Sequence, residues 1–293
     1  MTSVTQPLTA TSASPRIGIA LCLLSMFIFA AQDGITKILV RDLPVAQLVM
    51  VRYWVFLLFA IAFATLKGSG VRAAASSRHP WLQLCRSLLG VFEIIIFGLA
   101  LRYLGLAETH AIYAIFPLLT LALAGVLLRE QVSSRQWLAA VIGFAGTLVI
   151  LQPGLGVFSL ASLIPLLAAL MFAFFNILTR KISSADGFAT NMLYMGLWGA
   201  VATTAIGLPQ WVTPTPGQLA MMLVLSMTGV LAQLLLIQAL RYTPAVTLQP
   251  FNYALLLFAS VLGVVWFGEV LALPLVIGAG LVVAGGLLSL KQR

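Results

Sequence analysis

Ten stretches of this chain, all but a short fifth one about the length of a bilayer crossing, carry almost no charge, and that leaves few structures open to it. They fall roughly at 17–37, 45–66, 81–101, 104–128, 137–151, 158–179, 188–208, 219–240, 245–267 and 271–290. An α-helix rises about 1.5 Å per residue and crosses the ~30 Å hydrocarbon core in about 20 residues. Of 293 residues, 61% are hydrophobic and 8% charged, whereas soluble domains are roughly 25% charged. No water-soluble fold could cover this much apolar surface, so the lipid bilayer is the chain's first partner. The expected fold class is an all-α integral membrane bundle of ten transmembrane helices.

Turn chemistry separates several of the stretches: Gln152–Pro153–Gly154, Asp186–Gly187 and Thr213–Pro214–Thr215–Pro216–Gly217. Residues 1–16, rich in Ser, Thr, Ala and Pro, read as a disordered cytoplasmic tail. The run from Ile17 is too long for a signal peptide and ends in Gln32–Asp33–Gly34, so it reads as a retained first helix. Basic residues set the orientation. With the N-terminus inside, twelve of the sixteen Lys and Arg fall on the inner face, and only Lys37, Arg41, Arg52 and Arg102 fall outside. Both termini are then cytoplasmic, in agreement with an even number of spans.

The two halves of the sequence align with each other. A shift of 139 residues lays Ala100–Leu101–Arg102–Tyr103 on Ala239–Leu240–Arg241–Tyr242, Ser87 and Gly90 on Ser226 and Gly229, and Glu130 on Glu269. Each half, 17–152 and 153–293, has five spans. An odd number forces the second half to insert upside down. Inverted repeats are a transporter signature, with substrate bound near the midplane at the repeat interface.

The stretch from Ala100-Leu-Arg-Tyr through Pro117 and Glu130 to Trp137 and Gly146 resembles the EamA-type repeat of the drug/metabolite transporter superfamily. Arg241-Tyr-Thr-Pro244, Gln249-Pro-Phe-Asn-Tyr253, Gly263, Phe267-Gly-Glu269 and Gly278 resemble its second copy. The resemblance implies ten helices as two inverted five-helix repeats and alternating access, in a multi-pass protein of the bacterial inner membrane. It also implies a small-molecule substrate, with export of amino acids, aromatic ones included, as the nearest match. Other metabolites or drugs, or a passive channel, are the alternatives. Leu256 stands where the first copy has Pro117, so paired proline kinks are not expected.

Polar side chains deep in a bilayer are costly and usually face a cavity or a partner. Glu93 lies 12 residues beyond Trp81, about 18 Å along a helix and near midplane. It could bind an ammonium, carry a coupling proton, or join helices through hydrogen bonds. Asp33, Lys37, Arg52 and Glu108 fall in the outer third with His110 and form a candidate charge network or gate. The repeat register pairs His110 with Gln249 and Tyr113 with Asn252. Gln32, Asn176 and Gln233 add polar groups to a shared cavity, and Tyr194, Trp198 and Tyr253 add aromatic ones. Pro117, Gly90 and Gly229 are candidate hinges. Glu130 and Glu269 read as structural acids at helix ends.

No phosphate loop, catalytic triad or HExxH pattern occurs. An enzyme is not expected, and neither is a cofactor or a metal. The basic residues are scattered singly between apolar runs, which argues against nucleic acid.

Overall fold

The computed structural model describes residues 15–66, 70–128, 132–151, 160–183, 185–243, 248–269, 273, 277–278, 280–281, 284–285 and 288. Every regular element among them is helical. Six helices are long and apolar enough to cross a membrane: α1 (Pro15–Leu39), α2 (Val45–Leu66), α4 (Pro80–Tyr103), α8 (Leu163–Ser183), α9 (Phe188–Gly207) and α10 (Pro216–Tyr242). Between them lie the single turn α3 (Val71–Ala74), α5 (Leu106–Tyr113), α6 (Phe116–Leu127) and α7 (Ser134–Leu151). After α10 come a 3-10 turn, Gln249–Tyr253, and α11 (Ala254–Phe267).

Helix ends follow local chemistry. Proline sits in the first turn of α4, α6 and α10, where its missing N–H costs nothing. Thr215 caps α10 in a reciprocal capping box with Gln218. Gly268 ends α11 in the left-handed region, at φ 65°, which favours glycine. α1 begins at Pro15, two residues inside the segment expected to be a tail, because proline suits a first helical turn. Residues 1–14, most of the tenth expected span, Glu130 and the junction at 152–153 lie outside the described residues.

The fourth expected span, 104–128, is not one helix. It breaks after Tyr113 and resumes at Phe116. Pro117 accounts for this, since its ring would clash with the carbonyl four residues earlier, that of Tyr113. The ninth expected span changes character at the corresponding place. Its 3-10 turn gives way to α11 between Tyr253 and Ala254, which align with Ala114 and Ile115 in the 139-residue register. Here Pro250 lies upstream of the transition instead of downstream. The two matching spans thus change character at aligned positions, each near a proline.

The packing is reciprocal. α1 lies along α10 as α8 lies along α4, α10 contacts α2 as α4 contacts α9, and α11 lies on α1 as α6 lies on α8. α2 and α9 pair with each other. Glycines let their backbones meet. A Cβ on Gly199 would strike the Tyr53 ring, one on Gly207 would lie 2.8 Å from the Ala46 carbonyl oxygen, and one on Gly196 would lie 3.0 Å from the Leu57 Cα. Small residues at such seams let dispersion and backbone contact hold membrane helices together. Leu58, Val126, Met227 and Val265 turn outward, toward lipid.

The connecting loops gather into two faces. On one, Gln47 bonds the Val212 backbone in both directions, at 2.8 and 2.9 Å, and Gln218 donates to Asp42 at 3.2 Å. On the other, Asp186 accepts from the Ser77 hydroxyl, the Arg78 amide and the Gln83 side chain. Gln83 also accepts from Arg86, whose guanidinium reaches the Asn191 carbonyl at 2.7 Å. Arg86 is therefore engaged with this loop.

Burial alone would push the Asp186 carboxyl up, but the hydrogen bonds from Ser77, Gln83 and Arg78, with His79 nearby, outweigh it and hold the group below its usual value. A depressed carboxylate stabilises the fold above its unfolded pKa, near 3.9, and this contribution is lost as pH falls through the folded value. Asp186→Asn is expected to lower stability at neutral pH by about 2 kcal/mol, the scale of hydrogen bonds to a charged group. It should also remove part of the acid sensitivity expected below about pH 4. Thermal unfolding in detergent across pH checks this. Unchanged melting at pH 7 would show that the loop does not depend on the charge.

Candidate functional site

The break at Tyr113 places that side chain in the bundle centre, where its hydroxyl donates to Glu93 Oε1 at 2.7 Å. Both residues are buried, on α5 and α4. One turn earlier on α5, His110 Nε2 lies 3.1 Å from Asp33 Oδ2 of α1. The distance is that of an ion pair, but the N–H does not point along it, so no hydrogen bond forms. The Phe97 ring stands edge-on to both His110 and Tyr113, with centroids 5.2 and 4.8 Å away. Aromatic contacts continue from Tyr113 to Phe116 and Phe172, and Phe172 stacks on Phe175 at 5.9 Å and 13°. Five helices thus bring two acids, a histidine, a tyrosine and a wall of rings to one place.

A cleft beside this group is lined by Asp33, Thr36, Val49, Arg52, Ile94 and Phe97. A second, smaller one lies between the two span interruptions and is lined by His110, Tyr113, Phe116, Asn252 and Tyr253. Their volumes, about 30 and 10 Å³, hold a water or two at most. The centre is contracted around its polar groups, and a metabolite can enter either cleft only if helices separate.

Five of the eleven residues expected in the shared cavity lie together here. His110, Tyr113, Asn252 and Tyr253 line one cleft, with Glu93 bonded to Tyr113. The Cys22 thiol faces Asn252 Oδ1 at 3.8 Å, and the Tyr253 hydroxyl donates to the Ala140 carbonyl at 3.1 Å. Gln32 is buried, and among the described residues neither its side-chain nitrogen nor its oxygen has a hydrogen-bond partner. Asn176 and Gln233 are half-buried on α8 and α10. Tyr194 lies elsewhere, its hydroxyl on the Ala75 carbonyl at 3.1 Å beside the loop after α3. Trp198, half-buried on α9, adjoins the glycine seam. The side chains of Gln249 and Glu108 lie outside the described residues.

The expected charge network divides in two. Asp33 faces His110, as above. Lys37 instead reaches the end of α11, with Nζ 3.4 Å from Glu269 Oε1 and 3.0 Å from the Leu104 carbonyl. Glu269 also accepts from the Leu106 amide at 3.0 Å, so one acid ties the two halves of the chain at that face. Gly90 is packed against the Phe175 ring and Gly229 against Arg52 and Gln32. Both glycines are points of close contact within continuous helices, α4 and α10.

Tyr53, Phe97, Phe172 and Phe175 were not singled out from the sequence. Only the crowding of phenylalanines at 172, 174 and 175 carried a signal. Among the described residues no cluster of His, Cys, Asp and Glu has the geometry of a metal site.

A membrane bundle with a polar, aromatic-walled centre and a chain interruption beside it defines a transport protein more than any other class. The comparisons agree: the model of the EamA-like transporter family matches residues 16–152 and again 159–291, and the chain belongs to that family. It is a transporter and not an enzyme, a multi-pass protein of the inner membrane. The chain is 31% identical over 245 residues to a riboflavin transporter of Vibrio cholerae serotype O1, covering 82% of this chain and 81% of that one. It is 25% identical to an S-adenosylmethionine uptake transporter of Rickettsia prowazekii, covering 86% and 85%. A riboflavin transporter of Rhizobium johnstonii is 27% identical, covering 94% and 92%. One solved crystal structure of a protein superposes with a TM-score of 0.75, covering 97% of this chain and 100% of that one. At 19% identity that likeness is one of fold.

Proposed function

We propose that the chain is a secondary transporter for a small organic metabolite carrying a flat heteroaromatic ring, bound between two inverted five-helix repeats of a ten-span bundle. The observation that carries this reading is the buried centre itself. Glu93, Tyr113, His110 and Asp33 supply polar contacts, and the row of rings from Phe97 to Phe175 supplies a stacking wall. Aromatic faces favour flat partners. Riboflavin and S-adenosylmethionine, named for the relatives, share such a ring. Those names speak of riboflavin transport and S-adenosylmethionine uptake, so they favour uptake of a ring-bearing metabolite over export of amino acids.

The reciprocal packing of α1 on α10 and α8 on α4, the matched interruptions and the twofold family match support the two-repeat arrangement. In this reading Pro117 and Pro250 mark the points where the halves bend, and Glu93 carries a coupling proton. Rocking of one half on the other opens the contracted centre to each side in turn. The test is counterflow in proteoliposomes loaded with riboflavin, S-adenosylmethionine or aromatic amino acids. Saturable exchange of either ring compound is expected. Exchange of amino acids alone, or flux without saturation, would overturn the reading.

A further inference from the structure

We infer that Gln32 and Arg52 form a donor–acceptor–donor edge that selects a substrate ring bearing a carbonyl–NH–carbonyl edge, the pyrimidinedione type. The inference rests on the heteroaromatic reading above and narrows it to one ring chemistry.

Gln32 is 1% exposed, and both its Nε2 and Oε1 are buried without a hydrogen-bond partner among the described residues. A buried amide left unpaired costs about 1–3 kcal/mol per group, so a helix would not hold one at its centre without a use for it. Arg52 is its neighbour. The position a Cβ would take on Gly229 is 3.2 Å from Gln32 Oε1, 3.2 Å from Arg52 Nε and 3.3 Å from Arg52 Nη2. The amide oxygen and two guanidinium nitrogens therefore crowd around one bare backbone position on α10. Any side chain at residue 229 would occupy the space these groups share. Arg52 also lines the cleft that Phe97 and Asp33 border.

The hydrogen-bonding pattern of this edge is specific. Gln32 Nε2 donates, Gln32 Oε1 accepts, and the Arg52 guanidinium donates. The complement is an acceptor, a donor and an acceptor in a row. A pyrimidinedione, such as the one within the riboflavin ring system, presents that row as C=O, N–H and C=O. An adenine offers a ring nitrogen acceptor beside an amino donor, which satisfies Gln32 and leaves Arg52 without its carbonyl. A site built to hydrogen-bond a ring N–H rejects analogues lacking it more strongly than an apolar pocket rejects a change in shape.

The wild-type protein in proteoliposomes supplies the first arm, since riboflavin and its N3-methyl derivative differ only at the central donor. Riboflavin should compete in counterflow ~10-fold or more better than the N3-methyl compound. Gln32→Leu should bring the two within about twofold of each other by removing the acceptor that reads N–H. S-adenosylmethionine should compete more weakly than riboflavin in the wild type. Should Gln32→Leu not fold, Arg52→Lys gives a second variant: it keeps the charge, loses the fork and should weaken riboflavin more than S-adenosylmethionine. Equal competition by the two flavins in the wild type would overturn the inference and leave the heteroaromatic reading standing. So would exchange of S-adenosylmethionine without riboflavin. Exchange of neither ring compound would overturn both.

Discussion

Glu93→Gln is expected to lower transport at least ~10-fold, and to leave the remaining flux nearly independent of pH. Glutamine is close in shape and can still accept from the Tyr113 hydroxyl, 2.7 Å away in the native site, so the local packing should survive. The substitution removes the group's ability to hold and release a proton, and general acid–base participation of one side chain typically contributes 10²–10⁴-fold where it operates. Glu93→Ala goes further. It orphans the Tyr113 hydroxyl in a buried setting, at a cost of about 1–3 kcal/mol in stability, so its transport defect should come with a lower melting temperature. The comparison separates the two roles. Uptake in proteoliposomes from pH 5.5 to 8.5, beside thermal unfolding of each variant, makes the measurement. A Glu93→Gln profile that keeps the wild-type pH dependence would leave Glu93 as a helix-joining carboxyl.

Gly199→Leu should damage the protein through the seam between α2 and α9. A Cβ at that position would overlap the Tyr53 ring, and Tyr53 is only 3% exposed, with little room to move. Overpacking a tight interior costs typically 1–3 kcal/mol, and a leucine asks for more than its first carbon. Gly217→Leu is the control, because nothing lies within 4 Å of a Cβ there and the site is exposed. The expected result is loss of monodisperse, folded protein for Gly199→Leu and normal behaviour for Gly217→Leu, read by size-exclusion profile and thermal unfolding. Normal melting and transport in Gly199→Leu would mean that the seam is looser than its geometry implies.

The bundle was legible in the sequence because hydropathy reports a helix's environment directly. Six expected spans became long helices at nearly the expected places. The fourth did not, and the reason is local: Pro117 stood in view, but hydropathy is blind to the backbone break that a proline forces inside an apolar run. The site was legible in its polar members. Glu93, Asp33, His110 and Tyr113 stand out because charge and hydroxyl groups are rare in lipid-facing sequence. The aromatic wall was not, since Phe97, Phe172 and Phe175 look like any other lipid-soluble side chains until the helices are packed. Arg86 shows the same limit of spacing as a guide. Its spacing from Glu93 puts it on the same helix face, but the loop carrying Asp186 and the start of α9 captured it.

α2 and α9 hold corresponding positions in the two halves and pack on each other. In the proposed arrangement this pair would straddle the pseudo-twofold axis, like the pin of a balance. A rotation that opens either face would then load the seam, whose glycines lie on α9 and whose Tyr53 and Leu57 lie on α2. The two rims add unlike fastenings of their own. One is an acid at residue 269 gripping a lysine and a turn, and the other an acid at residue 186 gripping a serine, an amide and a glutamine. The tilt of the resting state would therefore be set in part at the periphery, by groups far from the ring-binding centre.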